Sequence, residues 1–376
     1  MVEGARRLIR VAYVAGEPNP SRVPHLRVLA AVDDIDLTVV YAAATVHRRT
    51  WTVDPGEAIV LRGPRLPTTR VLHHDYPLTP QLWRLLDRGR FDCVIVGGWS
   101  LMATQLAIVW ARTHRVPYLL ISENHLREPR PAWVRGLKSI VLRHVVPQAA
   151  GHLVTGTLAR EHQLAYGARP DRIVIWPNTV DVAGLARRVD ELRGERGQEV
   201  TVLHVGRLIR EKAPDELLAA FARACERAAT PLRLVLVGDG PLEPALRERA
   251  RGLPVEFRGL LEGDALVQAY ADADIFALFS RRETWGIVVN EAAAAGLPLV
   301  LTDRVGAAAD LLVPGENGEL VRSGEVDAQA RALAELADDP ALRGRYGARS
   351  RELVSPFTYE ASVEELARLI RAVVGA

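Results

Sequence analysis

The chain has 376 residues, of which 48% are hydrophobic and 25% charged, and its formal net charge is +2. That length is too great for one ordinary core and suits two domains of comparable size, with the composition of a soluble globular protein. Two cysteines, Cys93 and Cys225, far apart in sequence, exclude a disulfide framework and a cysteine metal site, and they are compatible with a reducing cytoplasm.

The near-zero net charge hides an asymmetry. Up to residue 185 there are 23 Lys and Arg against 15 Asp and Glu, and afterwards 25 against 31. A basic first half can attract an anionic acceptor or an anionic membrane surface, although an arginine-rich composition alone also produces it. Lysine is confined to Lys138 and Lys212.

The first half alternates apolar runs with longer amphipathic stretches, the pattern of a parallel sheet covered on both faces. The expected strands are Leu8 to Val14, Leu37 to Tyr41, Phe91 to Val96, Tyr118 to Ile121, His152 to Thr155 and Arg172 to Trp176. The N-terminal apolar run is too short for a secretory signal and reads as the first strand. After it, Gly16-Glu17-Pro18-Asn19-Pro20-Ser21 forms a turn before a helix expected near Val23. In an open α/β sheet this loop lies at the carboxyl ends of the strands, so Gly16 is a candidate ligand contact. Residues 93 to 111 carry no charge over 19 positions. Gly97-Gly98-Trp99-Ser100 divides them into a strand and a helix, which argues against a membrane span.

Ser122-Glu123-Asn124-His125 is more polar than a turn requires, which makes Glu123 and His125 candidate ligand contacts. Residues 131 to 150 place Trp133, Leu137, Ile140, Val141 and Val145 on an apolar side, with Arg135, Lys138, Arg143 and His144 on the other. Such a helix either covers the sheet or lies on an anionic membrane.

After the charged stretch Arg187 to Glu199 the alternation restarts. Strand Val200 to Val205 ends at Gly206, and Arg207 and Lys212 follow before a helix. A close backbone approach with one planar and one point cation is what a diphosphate needs, although two surface cations would look similar. Gly238-Asp239-Gly240 repeats the strand-turn-helix pattern, and Phe257 to Leu261 reads as another strand and loop. Strand Ile275 to Phe279 then delivers Ser280 and Glu283.

Glu283 and Glu291 stand eight positions apart. The apolar and small residues between Thr284 and Ala295, ended by Gly296-Leu297-Pro298, predict a helix opening just after Glu283. Free N–H groups of Thr284, Trp285, Gly286 and Ile287 at that opening favour an anion or sugar oxygens. Glu291 would then lie about two turns further in, about 12 Å away at the helical rise. Two acceptor-only carboxylates so placed suit a polyhydroxylated ligand, although a first-turn acid and a solvated helix residue would show the same spacing. Leu299 to Leu301, Asn317 to Val321, helices from Val326 and the segment Tyr359 to Val374 complete the chain.

Glu283, Trp285-Gly286, Glu291-Ala292 and Gly296-Leu297-Pro298 resemble the signature of the family 4 retaining glycosyltransferases, with Thr284 where that family usually has Gly. The resemblance covers the second half strongly and the first loosely. It implies the GT-B fold, two Rossmann-like domains with parallel sheets facing each other across a cleft. The expected bounds are 1–185 for an acceptor-binding domain, 186–356 for a nucleotide-sugar-binding domain, and 357–376 for a helix crossing back to the first. Pro177-Asn178-Thr179-Val180-Asp181 is similar to the family's hinge segment, with Thr179 replacing Gly.

The resemblance further implies hexosyl transfer with retention from a nucleotide diphosphate sugar, UDP favoured and GDP next, to a glycan, lipid-linked or small-molecule hydroxyl. Arg207 and Lys212, after Gly206, would neutralise the diphosphate, with Glu283 as the third catalytic group. Leu260 and Leu261 would flank the nucleobase, Glu291 would hold the ribose, and Glu123 or His125 would stand near the family's first-domain His. No metal ligands and no cofactor are expected. The expected setting is cytoplasmic, with peripheral membrane association an open alternative and no nucleic-acid partner. Two other classes share the architecture: a sugar-nucleotide 2-epimerase and a catalytically silent sugar-nucleotide or glycan-binding subunit.

Overall fold

Long apolar runs without polar alternation form strands buried on both faces, and two sheets of such strands organise the chain. The computed structural model describes residues 7–45, 54–63, 77–126, 132–194 and 197–375, apart from the side chains at 132, 134, 135 and 137. One compact unit comprises Met1–Asn124, Arg130–Asn178 and Tyr359–Ala376, and the other His125–Pro129 and Thr179–Thr358.

In the first unit the strands are β1 (Ile9–Ala15), β2 (Ile35–Tyr41), β3 (Ile59–Val60), β4 (Cys93–Val96), β5 (Tyr118–Ser122), β6 (Gly151–Val154) and β7 (Ile173–Ile175). They pair in parallel in the order β3-β2-β1-β4-β5-β6-β7. Alternate residues of β1 serve opposite faces. Val11, Tyr13 and Ala15 enter one apolar cluster, and Ala12 and Val14 another. Val363, Leu366, Ile370 and Val373 of the helix Tyr359–Val374 share one stripe at helical spacing, and they fill the first of these clusters beside Leu26, Leu29 and Leu119.

The second unit has β8 (Val200–Val205), β9 (Leu232–Val237), β10 (Val255–Gly259), β11 (Ile275–Leu278), β12 (Leu299–Thr302) and β13 (Gly318–Val321). They form a parallel sheet in the order β10-β9-β8-β11-β12-β13. All six residues of β8 are buried. Leu203 and Val205 pack with Trp285 and Val289 on one face, and Val200 and Val202 with Phe221 and Leu333 on the other.

Most expected strands lie within two residues of the observed ones. Ile59–Val60, a two-residue edge strand, is too short to leave a pattern in the sequence. Residues 93–111 divide as expected into β4 and the helix Met102–Thr113, and among the described residues no helix is long and apolar enough to cross a membrane.

The helix Ala132–Val145 departs from its expected facing. Trp133 is 74% and Ile140 71% exposed, while Leu142 and the following Val146 are buried. The side chains of Arg135 and Leu137, also expected there, lie outside the described residues.

Candidate active site

In the second sheet the chain moves from β8 outward through β9 and β10, then returns to the other side of β8 with β11. The carboxyl ends of β8 and β11 therefore form a topological switch point, where diverging loops leave a crevice. The loop after β8 carries Gly206, Arg207 and Lys212, and the loop after β11 carries Glu283 to Gly286. Arg281 and Arg282 donate their backbone N–H groups to the Glu211 carbonyl at 2.9 and 3.2 Å. The Arg281 guanidinium also forks onto the Asp215 carboxylate at 3.1 and 3.0 Å. The two loops are thus held as one surface.

A third loop, Gly238-Asp239-Gly240 after β9, supports the first from the side. Leu208 N–H donates to the Asp239 carbonyl at 2.6 Å. Gly238 has φ +126°, and a Cβ there would fall 2.1 Å from the Gly206 carbonyl oxygen, so only glycine permits the approach.

Two cations stand on this surface in different states. Arg207 is exposed and makes no ion pair among the described residues. Lys212 ends the short 3₁₀ turn Arg210–Lys212, and its ammonium donates to Oε2 of Glu283, with the two side chains 19% and 11% exposed. Beneath them His204 on β8 is fully buried and donates from Nδ1 to the Ala277 carbonyl at 3.1 Å. Burial, with the nearby Lys212 charge adding, pushes its pKa down to about 4, so the imidazole is neutral. The other ring nitrogen has no partner among the described residues and lies 3.4 Å from where a Cβ on Gly206 would be. Its position in an apolar strand gave the sequence reading no signal for it.

The helix expected to open after Glu283 starts three residues later, at Ile287, and runs to Ala294. Glu283 instead makes an isolated parallel bridge with Val305. Its N–H donates to Arg304 and its carbonyl accepts from Gly306, while Trp285 accepts from Ala307, at 3.2, 3.0 and 2.9 Å. Gly286 then turns the chain at φ +95°, where a Cβ would meet Cγ of Glu283 at 3.1 Å. A bridge to Val305, 22 positions further along the chain, overrides the local helical pattern. Glu291 consequently lies about one turn, not two, into the helix. The carbonyls of Glu283 and Trp285 are used by the bridge, whereas the N–H groups of Thr284, Trp285, Gly286 and Ile287 donate to no group among the described residues. Trp285 offers only its backbone, because its indole is buried and donates to Oδ1 of Asn290 at 2.9 Å. The Thr284 side chain is exposed.

Glu291 accepts a hydrogen bond from the Tyr270 hydroxyl at 2.6 Å, and burial pushes its pKa up to about 6. Leu261 packs against the cluster containing Tyr270, Trp285 and Val289, and Leu260, just beyond β10, is exposed.

The remaining candidates lie elsewhere. Gly16 follows β1 at the switch point of the first sheet, and its carbonyl accepts from Ala43 at 2.9 Å. Glu123 accepts from Asn178 at 3.3 Å and lies 3.8 Å from the Arg22 guanidinium. Arg22 is buried, stacks 4.1 Å over Trp176 and donates to the Trp176 and Pro177 carbonyls. That arginine organises the ends of β1, β5 and β7, and the sequence reading did not single it out. His125 is buried and falls with the second unit. No group of three His, Cys, Asp or Glu side chains able to hold a metal ion occurs among the described residues.

Residues 189–353 match the family model described as glycosyl transferases group 1, and residues 4–179 match glycosyl transferase 4-like domain. The chain is 30% identical over 315 residues to the D-inositol 3-phosphate glycosyltransferase of Kribbella flavida, covering 78% of this chain and 69% of that protein. It is 29% identical over 304 residues to the sulfoquinovosyl transferase SQD2 of Arabidopsis thaliana, covering 77% of this chain and 58% of the other's length. Among solved structures, HepE of Anabaena in complex with UDP and glucose is similar with a TM-score of 0.71 at 18% identity, over 97% of this chain and 100% of that one. Sucrose-phosphate synthase of Thermosynechococcus elongatus is similar with a TM-score of 0.74 at 18% identity, over 98% and 99%. These likenesses assign the two parallel-sheet units to the GT-B fold.

Proposed function

Because this chain belongs to the family 4 glycosyltransferases, we propose that it transfers a hexosyl unit, with retention, from a nucleotide diphosphate sugar to a hydroxyl acceptor. The observation that carries this reading is the pair of stitched loops at the second switch point. They bring together an arginine with no ion pair, a lysine shared with a carboxylate, and four backbone N–H groups with no acceptor among the described residues. A diphosphate supplies the anion such a surface lacks. Arg207 and Lys212 meet the charge that grows on the diphosphate as the glycosidic bond breaks. The N–H groups of Thr284 to Ile287 and the Glu283 carboxylate position the sugar hydroxyls, and Glu291 accepts from the ribose.

Retention follows front-face attack. The bond from C1 to the phosphate oxygen breaks, the acceptor oxygen bonds C1 from the same side, and the acceptor proton passes to the departing phosphate oxygen. The two cations carry the leaving charge, so no divalent metal and no cofactor are required. UDP is favoured as the base by the likeness to HepE, which binds UDP and glucose. GDP is the next choice. Gly16 is assigned to donor binding, and Glu123 and His125 to sugar or acceptor contacts.

Among glycan, lipid-linked and small-molecule acceptors, the lipid-linked class is favoured by the helix Ala132–Val145. It exposes Trp133 and Ile140 with Arg143 alongside, an arrangement suited to an anionic bilayer surface at the cytoplasmic face. The donor assignment is tested by thermal melts with UDP-, GDP- and ADP-sugars, since a ligand that binds only the folded state raises its stability. A melt unmoved by any of the three contradicts it.

A further inference from the structure

Tyr270 lies near the end of the helix Gly263–Ala271 and is fully buried. Its ring is fixed among apolar neighbours, including Val267, Val289 and Phe276, the last with ring centroids 6.4 Å apart. The hydroxyl cannot swing, and among the described residues its one hydrogen bond goes to Oε2 of Glu291 at 2.6 Å, the length of a charge-assisted O–H···O⁻ contact. The arginines around the helix Ile287–Ala294, which carries Glu291, act elsewhere. Arg193 and Arg351 donate to the Ala295 carbonyl at its C-terminal end, and Arg351 pairs with Asp190. Among the described residues, only Tyr270 bonds the Glu291 carboxylate.

A carboxylate in such surroundings has two weaknesses as a ligand. It can rotate about its terminal torsion, a broad, roughly two-fold coordinate. It can also take up a proton and lose acceptor capacity. A fixed phenol donating to one oxygen removes both.

We propose that Tyr270 is a positioning residue for donor binding: by occupying Oε2 of Glu291 it fixes the carboxylate plane and reserves Oε1 for the ribose hydroxyls. The inference rests on the reading of Glu291 as the ribose-binding residue. It also accounts for a buried Tyr hydroxyl with no other partner among the described residues. Burial pushes the Glu291 pKa up, and the Tyr270 bond is the contact that pulls it back. The loss of that bond therefore moves protonation of Glu291 to higher pH.

The test is isothermal titration with UDP, or GDP if GDP stabilises the wild type more, across pH 5 to 8. The variants are Tyr270→Phe, Glu291→Gln and the double variant, with donor KM and kcat measured in parallel. Tyr270→Phe keeps the ring and its packing, and Tyr270→Met gives a second hydroxyl-free variant if the melt of the first shows misfolding. A hydrogen bond to a charged group is worth about tenfold or more in affinity. Tyr270→Phe is expected to weaken binding by about that factor with kcat at saturating donor changed far less, and to shift the acid limb of binding to higher pH. The double variant is expected to bind no worse than Glu291→Gln. If Glu291→Gln weakens binding while Tyr270→Phe leaves affinity and pH dependence unchanged, the positioning role is overturned and the Glu291 reading stands. Additive losses in the double variant overturn it as well, because Tyr270 would then act independently. If Glu291→Gln itself leaves binding unchanged, the ribose reading fails and the inference with it.

Discussion

Lys212 and Glu283, 71 residues apart in sequence, share an ion pair at the switch point of the second sheet. Each partner is therefore occupied until a ligand arrives, and a diphosphate must compete with Glu283 for the ammonium. This coupling predicts a split when the carboxylate is neutralised. Glu283→Gln frees Lys212, so affinity for UDP is retained or increased, while turnover falls by about tenfold or more because sugar positioning is lost. Titration of UDP alongside steady-state rates checks this, and a parallel fall in both would remove Glu283 from the sugar side of the site.

On the proposed reading, Arg207, with no ion pair among the described residues, and the shared Lys212 supply the counter-charges of the diphosphate. Turnover is therefore expected to persist in EDTA. Complete loss on chelation, restored by Mg²⁺ or Mn²⁺, would assign the leaving-group charge to a metal.

Buried titratable groups set the acid stability. His25, His152 and His204 have pKa values pushed down to about 3, 4 and 4 by burial, so the folded chain keeps them neutral. Their folded values lie below the unfolded value near 6.5, so the unfolded state binds more protons and stability falls as the pH drops from about 6.5 towards 4. Glu291 acts in the opposite sense. Its folded pKa, about 6, is above the ordinary carboxylate value, so protonation favours the folded state as pH falls through that range. Three depressed histidines outweigh one raised carboxylate, and the melting temperature is expected to fall between pH 7 and 5. His204→Phe should flatten that fall, and an unchanged profile would mean that His204 is not held neutral in the folded state.

Much of this architecture was legible because each strand of a doubly covered parallel sheet is an uninterrupted apolar run, as in Val200–Val205. What escaped depended on contacts distant in sequence. The helix at Ile287 starts late because Glu283 pairs with Val305, and no local pattern records that bridge. Lys212 and Glu283 each stood out in the sequence as candidate site residues, but not as partners. His204 and Arg22 are buried polar groups in apolar surroundings, where residue type alone does not distinguish structure from function. The outward facing of Trp133 and Ile140 was hidden because an amphipathic pattern identifies a helix's two faces without saying which one the protein covers.

That outward face has a testable consequence. Pelleting with anionic vesicles should fall as salt rises, and Trp133→Ala with Ile140→Ala should weaken it several-fold without changing the melt. Equal binding to neutral vesicles, or none to either, would favour an acceptor free in solution.

The central claim is that the loops after β8 and β11 form the donor site and that their cations act on the departing diphosphate. It is tested most directly by kcat and donor KM for Lys212→Ala beside Glu291→Ala, with folding checked by thermal melt. Removing a charged donor from such a site raises the barrier by about 2.7 to 4 kcal/mol, or about 10² to 10³ in rate. Lys212→Ala should therefore lose that factor in kcat with a much smaller change in KM. On the proposed reading Glu291 meets ribose hydroxyls whose charge does not change during the reaction, so Glu291→Ala should raise KM and leave kcat less affected. Small and matched effects in both variants would contradict the account.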